Sequence, residues 1–121
     1  MPSYISALVV LAVVLAGNSL GPEATHISMN YFDSILHLLA GIGLGFFFCA
    51  LTSSIGSRRW RARWSIVLIV LIGGIAWEVF EAYFGITGYT LWTTMYYLDT
   101  IKDIVLDVAG AALVSYFVIQ K

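Results

Sequence analysis

The sequence predicts an all-α membrane protein of four spanning helices. Three observations carry that expectation. Four apolar stretches, at about 4–20, 31–54, 64–86 and 98–119, fill most of the 121 residues, and each approaches the ~20 residues a helix needs to cross a ~30 Å hydrocarbon layer. Hydrophobic residues make up 60% of the chain and charged residues only 11%, with a mean hydropathy of +0.91; that balance suits lipid better than a soluble core. The basic residues, moreover, crowd into one inter-helix loop. The length allows a single domain, residues 1–121.

The first stretch opens Met1-Pro2-Ser3-Tyr4. It has no basic lead-in and a longer apolar run than a secretory signal uses, so it reads as a retained helix. The second ends just before Arg58, Arg59, Arg61 and Arg63, four of the six basic residues. By the positive-inside rule that loop is cytoplasmic, which puts both termini, including Lys121, in the cytoplasm of an inner-membrane, multi-pass protein. The loops near 21–30 and 87–97 then face outward. Trp60 and Trp64 would anchor the inner interface, and Tyr31, Tyr83, Tyr89, Trp92, Tyr96 and Tyr97 the outer one. The Thr- and aromatic-rich segment Ile86–Tyr97 is expected to lie along that outer interface.

Composition also excludes functions. A net charge of −1 and the lack of a basic stripe argue against nucleic-acid binding. The single cysteine, Cys49, permits neither an intrachain disulfide nor a cysteine zinc motif. Membrane lipids are the expected partners. Small residues at Gly41, Gly45, Gly73, Gly74 and Gly110 offer faces on which helices approach closely, within one chain or between copies in a homo-oligomer.

Six of the seven acidic residues, Asp33, Glu78, Glu81, Asp99, Asp103 and Asp107, lie in or beside the apolar stretches, together with His37. An ionisable group at mid-membrane costs about 2.5–3.5 kcal/mol on insertion scales, so such a cluster marks a functional site by default. Depth reinforces the point. In the topology above, the second stretch descends from the outer face at Asp33, the third climbs back to it at Glu81, and the fourth descends again from Asp99. At ~1.5 Å per residue the seven groups share one layer reaching roughly 15 Å below the outer boundary. Spacings of three and four place each set on one helix face.

Plainer explanations cover some of these residues. Asp33 and Asp99 sit where a carboxylate could cap a helix start, Thr100 with Asp103 has the spacing of a capping box, and Lys102 can pair with a neighbouring acid. Glu78, Glu81 and Asp107 have no such explanation: the first two approach a helix C-terminus, where the dipole disfavours negative charge, and the third lies deep in its span. Crowded carboxylates must share protons, pair or bind a cation. The expected metal-ligating set is Asp33, His37, Glu78, Glu81, Asp99, Asp103 and Asp107. This oxygen-rich set with one imidazole suits Mg²⁺, Mn²⁺ or Ca²⁺, and a carboxylate-bridged iron pair less well. His37, Glu78 and Asp107 are the candidate catalytic groups, with Glu78 or His37 as general base.

Asp33-x-x-x-His37, Trp77-Glu78-x-x-Glu81 and Asp99-Thr100-x-x-Asp103-x-x-x-Asp107-x-x-Gly110 together resemble the small VanZ-like and YjdF-like integral membrane proteins of bacteria. The likeness spans about residues 31–115 and leaves out the first helix. Glu81 stands where the VanZ-type pattern tends to carry Gln, Asp107 where it carries Asn, and no arginine lies between Ile86 and Tyr97. The YjdF-like branch therefore fits better. The resemblance implies a helical membrane fold with a shared polar centre and no settled activity. Three functional classes follow from the residues. The leading one is a divalent-cation site acting on or holding a phosphate-bearing lipid or envelope precursor. The others are a non-enzymatic cation or proton binder, transporter-like or sensory, and a structural subunit of a membrane complex.

Overall fold

The computed structural model describes residues 2–21, 29–56 and 59–119, with side chains described at 4–21, 31–56 and 62–119. The described chain is all-helical: α1 (Pro2–Leu20), α2 (Met29–Ser54), α3 (Arg59–Phe84) and α4 (Thr94–Ile119). Apolar residues run almost unbroken through each helix, so periodicity alone does not fix which face packs inward. Small residues do. At Gly41 an added Cβ would land directly on the carbonyl of Asp107, and at Gly110 one would fall 2.6 Å from the Leu38 carbonyl oxygen. One turn further, Gly45 rests on Ala111 and Val114. The backbones of α2 and α4 therefore touch, an approach that only glycine allows and that drives helix association in lipid.

α2 and α4 form the central pair, with α1 packed on the outer side of α2 and α3 on α4. α2 meets α3 over a smaller area, and α1 makes no comparable contact with α3. The spatial order is thus α1–α2–α4–α3, with a cleft between the two outer helices. Cys49, Ile66, Val70, Ala111 and Val114 form the apolar core where α2, α3 and α4 meet. Leu8, Val13, Ile35, Leu68, Ile72 and Leu113 are all more than 40% exposed. In water such a surface would be an aggregation hazard, whereas hydrocarbon solvates it. Among the described residues two stretches, Tyr31–Ser54 and Ala62–Phe84, are long and apolar enough to cross a membrane; Tyr4–Leu20 is apolar but shorter, and α4 carries Asp99, Lys102, Asp103 and Asp107 between its start and its middle.

Several expectations need correction at the helix ends. α3 begins at Arg59 and ends at Phe84, so Arg63 belongs to a helix and not to the basic loop; its guanidinium lies 5.5 Å from the Tyr116 ring centre. The Arg58 position, the side chains of Arg59, Trp60 and Arg61, and Lys121 lie outside the described residues. α4 begins at Thr94, earlier than expected, because Thr93 caps it: the Tyr96 amide donates to the Thr93 hydroxyl (3.4 Å) and the Tyr97 amide to the Thr93 carbonyl (3.1 Å). Asp33 and Asp99 consequently lie inside their helices and cap nothing, and Thr100 with Asp103 makes no capping box. The C-terminus of α3 closes on Gly85, whose φ of +68° lets the Ile86 amide reach the Glu81 carbonyl at 3.0 Å. Only the short segment 85–93 is left to lie along an interface, and Tyr96 packs inward, 8% exposed, outside the exposed aromatic belt of Tyr31, Tyr83, Trp92 and Tyr97.

The crossing makes a sharp distinction among glycines. Gly41→Ala should lower stability in detergent by about 1–3 kcal/mol, because neither backbone can yield. Gly73→Ala, where an added Cβ meets nothing within 4 Å, should be neutral or slightly stabilising, as expected from helix propensity. Thermal unfolding of the two variants beside the parent tests this, and equal losses would show that α2 and α4 do not touch at Gly41.

Candidate functional site

The α2–α4 contact at Gly41 and Gly110 sets the position of everything one turn above it. His37 lies four residues before Gly41 on α2, and Asp107 three before Gly110 on α4. They meet: His37 Nδ1 is 3.2 Å from Asp107 Oδ2, with both groups buried. Gly74 of α3 leaves the room, since a Cβ there would stand 3.0 Å from the same carboxylate oxygen. The hydrogen bond to Asp107 fixes the imidazole plane and sends Nε2 the other way. There Nε2 faces two further carboxylates, Asp33 Oδ1 at 3.8 Å and Asp103 Oδ2 at 3.8 Å.

Neither 3.8 Å separation is a hydrogen bond. Donor atoms of Asp33, His37 and Asp103 nevertheless all lie within 4.8 Å of one another. Donors bound at ~2.1–2.4 Å to one octahedral cation stand ~3–5 Å apart, so this spacing leaves room for an ion among the three. The arrangement also has the form of a metal-binding histidine whose second nitrogen is held by a carboxylate. Asp103 is buried to 1% exposure, and its Oδ1 lacks a hydrogen-bond partner; the Lys102 ammonium lies 3.4 Å away without hydrogen-bond geometry.

The remaining acids divide between other partners. Asp99 accepts from Lys102 Nζ at 2.7 Å, so the expected lysine pairing is present. Glu78, 6% exposed, accepts from the Thr100 hydroxyl through Oε2 at 3.0 Å, while its Oε1 is buried without a hydrogen-bond partner. Glu81 accepts from the Trp77 indole at 2.9 Å. The seven expected residues therefore occupy one end of the bundle but do not converge on one point. Asp33, His37 and Asp103 form the inner cluster with Asp107 behind the imidazole. Glu78 lies beside them, and Glu81 and Asp99 are turned to partners of their own.

Two cavities adjoin the cluster. One, of about 370 Å³, is lined by Tyr31, Ser34, Tyr89, Asp99 and Lys102 among others. The other, about 280 Å³, runs into the α1–α3 cleft and reaches Asp33, His37 and Asp107. Asn18 and Leu15 of α1 line it too, so the first helix contributes to the site, which the sequence reading left to α2, α3 and α4. Thr100 and Trp77 also belong to the site, although Thr100 has the spacing of a cap and Trp77 is not among the expected site residues. Thr100 reaches Glu78 from another helix, so only the three-dimensional register pairs those two, whereas Trp77 and Glu81 lie four residues apart on one face of α3.

A family model described as a predicted membrane protein, DUF2238, matches residues 3–120. The match takes in all four helices, α1 included. Comparison with curated proteins and with solved structures gives no match.

Proposed function

The chain belongs to this family of predicted membrane proteins, and on that premise we propose that it is a four-span inner-membrane protein whose Asp33–His37–Asp103 cluster binds a divalent cation. One observation carries the reading: Asp107 holds His37 so that Nε2 faces two carboxylates at 3.8 Å, too far to bond to it and suitably spaced to share an ion with it. The charge balance supports it. Among the described residues of this end of the bundle, six carboxylates face one lysine and one imidazole. Acids in such excess share protons or take a counter-charge, and a dication would supply one beyond what Lys102 and His37 provide. The oxygen-rich donor set favours Mg²⁺, Mn²⁺ or Ca²⁺.

In the orientation given by the Arg58–Arg63 cluster, both termini are cytoplasmic and the cation lies toward the outer leaflet. Cysteines introduced by Ser57→Cys and Thr90→Cys in a Cys49→Ser background should react with impermeant reagents from opposite faces; Ser57→Cys reacting from outside would reverse the orientation. An outer-leaflet dication amid acids attracts phosphate, which the acids alone would repel. The ligand class we propose is therefore a phosphate-bearing lipid or envelope precursor. If the ligand is turned over, a cation held by Asp33, His37 and Asp103 would supply Lewis-acid chemistry there, and Glu78 would serve as general base through its unbonded Oε1, since His37 would be committed to the ion.

Elemental analysis after purification without chelators, with Mn²⁺ titration, tests the cation. The parent should bind close to one equivalent, and His37→Ala or Asp103→Asn should abolish binding. Asp107→Asn should weaken it about 10–100-fold through loss of imidazole orientation. Asp99→Asn should leave it unchanged, because that carboxylate is turned to Lys102. Binding unaffected by His37→Ala and Asp103→Asn, or no binding in the folded parent, would refute the reading.

A further inference from the structure

The cleft between α1 and α3 has a polarity that changes along its length. At the outer end it is walled by Asn18, Asp33, His37 and Glu81. Toward the middle of the bundle the walls become Val14, Ala40, Leu44 and Gly73. From Asp33 to Leu44 the cleft follows α2 for eleven residues, or ~16 Å at ~1.5 Å each. That is about half of a ~30 Å hydrocarbon core, the depth of one leaflet. Leu15, Gly73 and Trp77 on its walls are exposed, so it opens sideways, where a bilayer places lipid chains.

We propose that this cleft seats a single hydrocarbon chain of a phosphate-headed lipid, with the head at the Asp33–His37–Asp103 cluster and the chain running down between α1 and α3. The choice of head rests on the cation reading above; the choice of a chain rests on the cleft. Three features select this occupant. The polar and apolar ends are ordered as an amphiphile in the outer leaflet would order them. At about 280 Å³ the space lies just below the ~300–1,000 Å³ of ligand pockets, which suits one chain of a lipid and not two. A helix of a second copy, ~10 Å across with its side chains, would need a far wider groove. Gly73 keeps the wall open: a side chain there meets no neighbouring atom, only the space of the cleft.

The test reconstitutes the whole chain in phosphatidylcholine vesicles containing a small fraction of phosphatidic acid that carries a photoreactive diazirine in one acyl chain. After illumination, labelled peptides are mapped and the metal content of the same samples is measured. Label should concentrate on α1, α2 and α3 residues of the cleft and be displaced by unlabelled phosphatidic acid. Gly73→Leu and Leu44→Trp should each reduce cleft labelling severalfold while metal is retained. Leu68→Trp, on a surface 56% exposed, should leave it unchanged. Monodisperse elution of each variant establishes that it is folded. Label spread evenly around the lipid-facing surface, label indifferent to both blocking variants, or crosslinks between two copies at the cleft would overturn the proposal. Displaceable cleft labelling that survives complete metal stripping would uphold the chain seat and refute the cation as its head-group bridge.

Discussion

The contact of α2 with α4 at Gly41 and Gly110 positions the site. Carbonyl and amide groups of one helix lie against the other with no side chain between them, so the two helices can neither slide nor rotate without collision. Hydrophobic burial gives little discrimination among helix registers in lipid, because hydrocarbon solvates an apolar face as well as a neighbouring helix does. Shape decides instead. One turn above the contact, the register places His37 beside Asp107 and opposite Asp103. Gly74 on α3 provides the third wall by leaving space where a side chain would displace the Asp107 carboxylate.

Around that contact the distribution of charge is uneven. Asp99 and Lys102 satisfy one another, Glu81 is held by Trp77, and Glu78 is held on one side by Thr100. Asp33 and Asp103, by contrast, approach His37 without bonding to it, and Asp103 and Glu78 each leave a buried oxygen without a hydrogen-bond partner. Buried polar atoms are almost always satisfied in folded proteins, and exceptions cluster where a ligand or ion completes them. The proposed dication would lie among Asp33, His37 Nε2 and Asp103 Oδ2, while the other Asp103 oxygen faces the Lys102 ammonium at 3.4 Å. The lateral cleft reaches Asp33, His37 and Asp107 from the side of α1 and α3.

Much of this was legible in the chain. The four helices follow from hydropathy and length, and the clustering of Asp33, His37, Glu78, Glu81, Asp99, Asp103 and Asp107 at one end follows from depth along alternating helices. Gly41, Gly45, Gly74 and Gly110 point to the contact faces because small residues are a strong packing signal in lipid, whereas Gly73 meets no neighbouring atom. The division of labour was not legible. Asp33 and Asp99 looked like caps because the helix starts were placed too late; the true start of α4 depends on Thr93, a single hydroxyl in an otherwise weak pattern. Thr100 and Trp77 gained their roles from contacts that spacing alone does not rank. The share of α1 in the cleft was invisible for a different reason: apart from Asn18 its wall residues are ordinary aliphatics, which carry no chemical signature until the gap beside α3 is known.

In the proposed site, His37 presents Nε2 to a cation held with Asp33 and Asp103. Pulsed electron paramagnetic resonance on the Mn²⁺-loaded protein reads this directly, through the nitrogen modulation that one imidazole ligand imposes on the metal. Modulation from a single histidine nitrogen is expected, lost in His37→Ala and retained in Asp99→Asn. Tightly bound Mn²⁺ with no nitrogen coupling would contradict it, since the ion would then sit among carboxylates that His37 does not share.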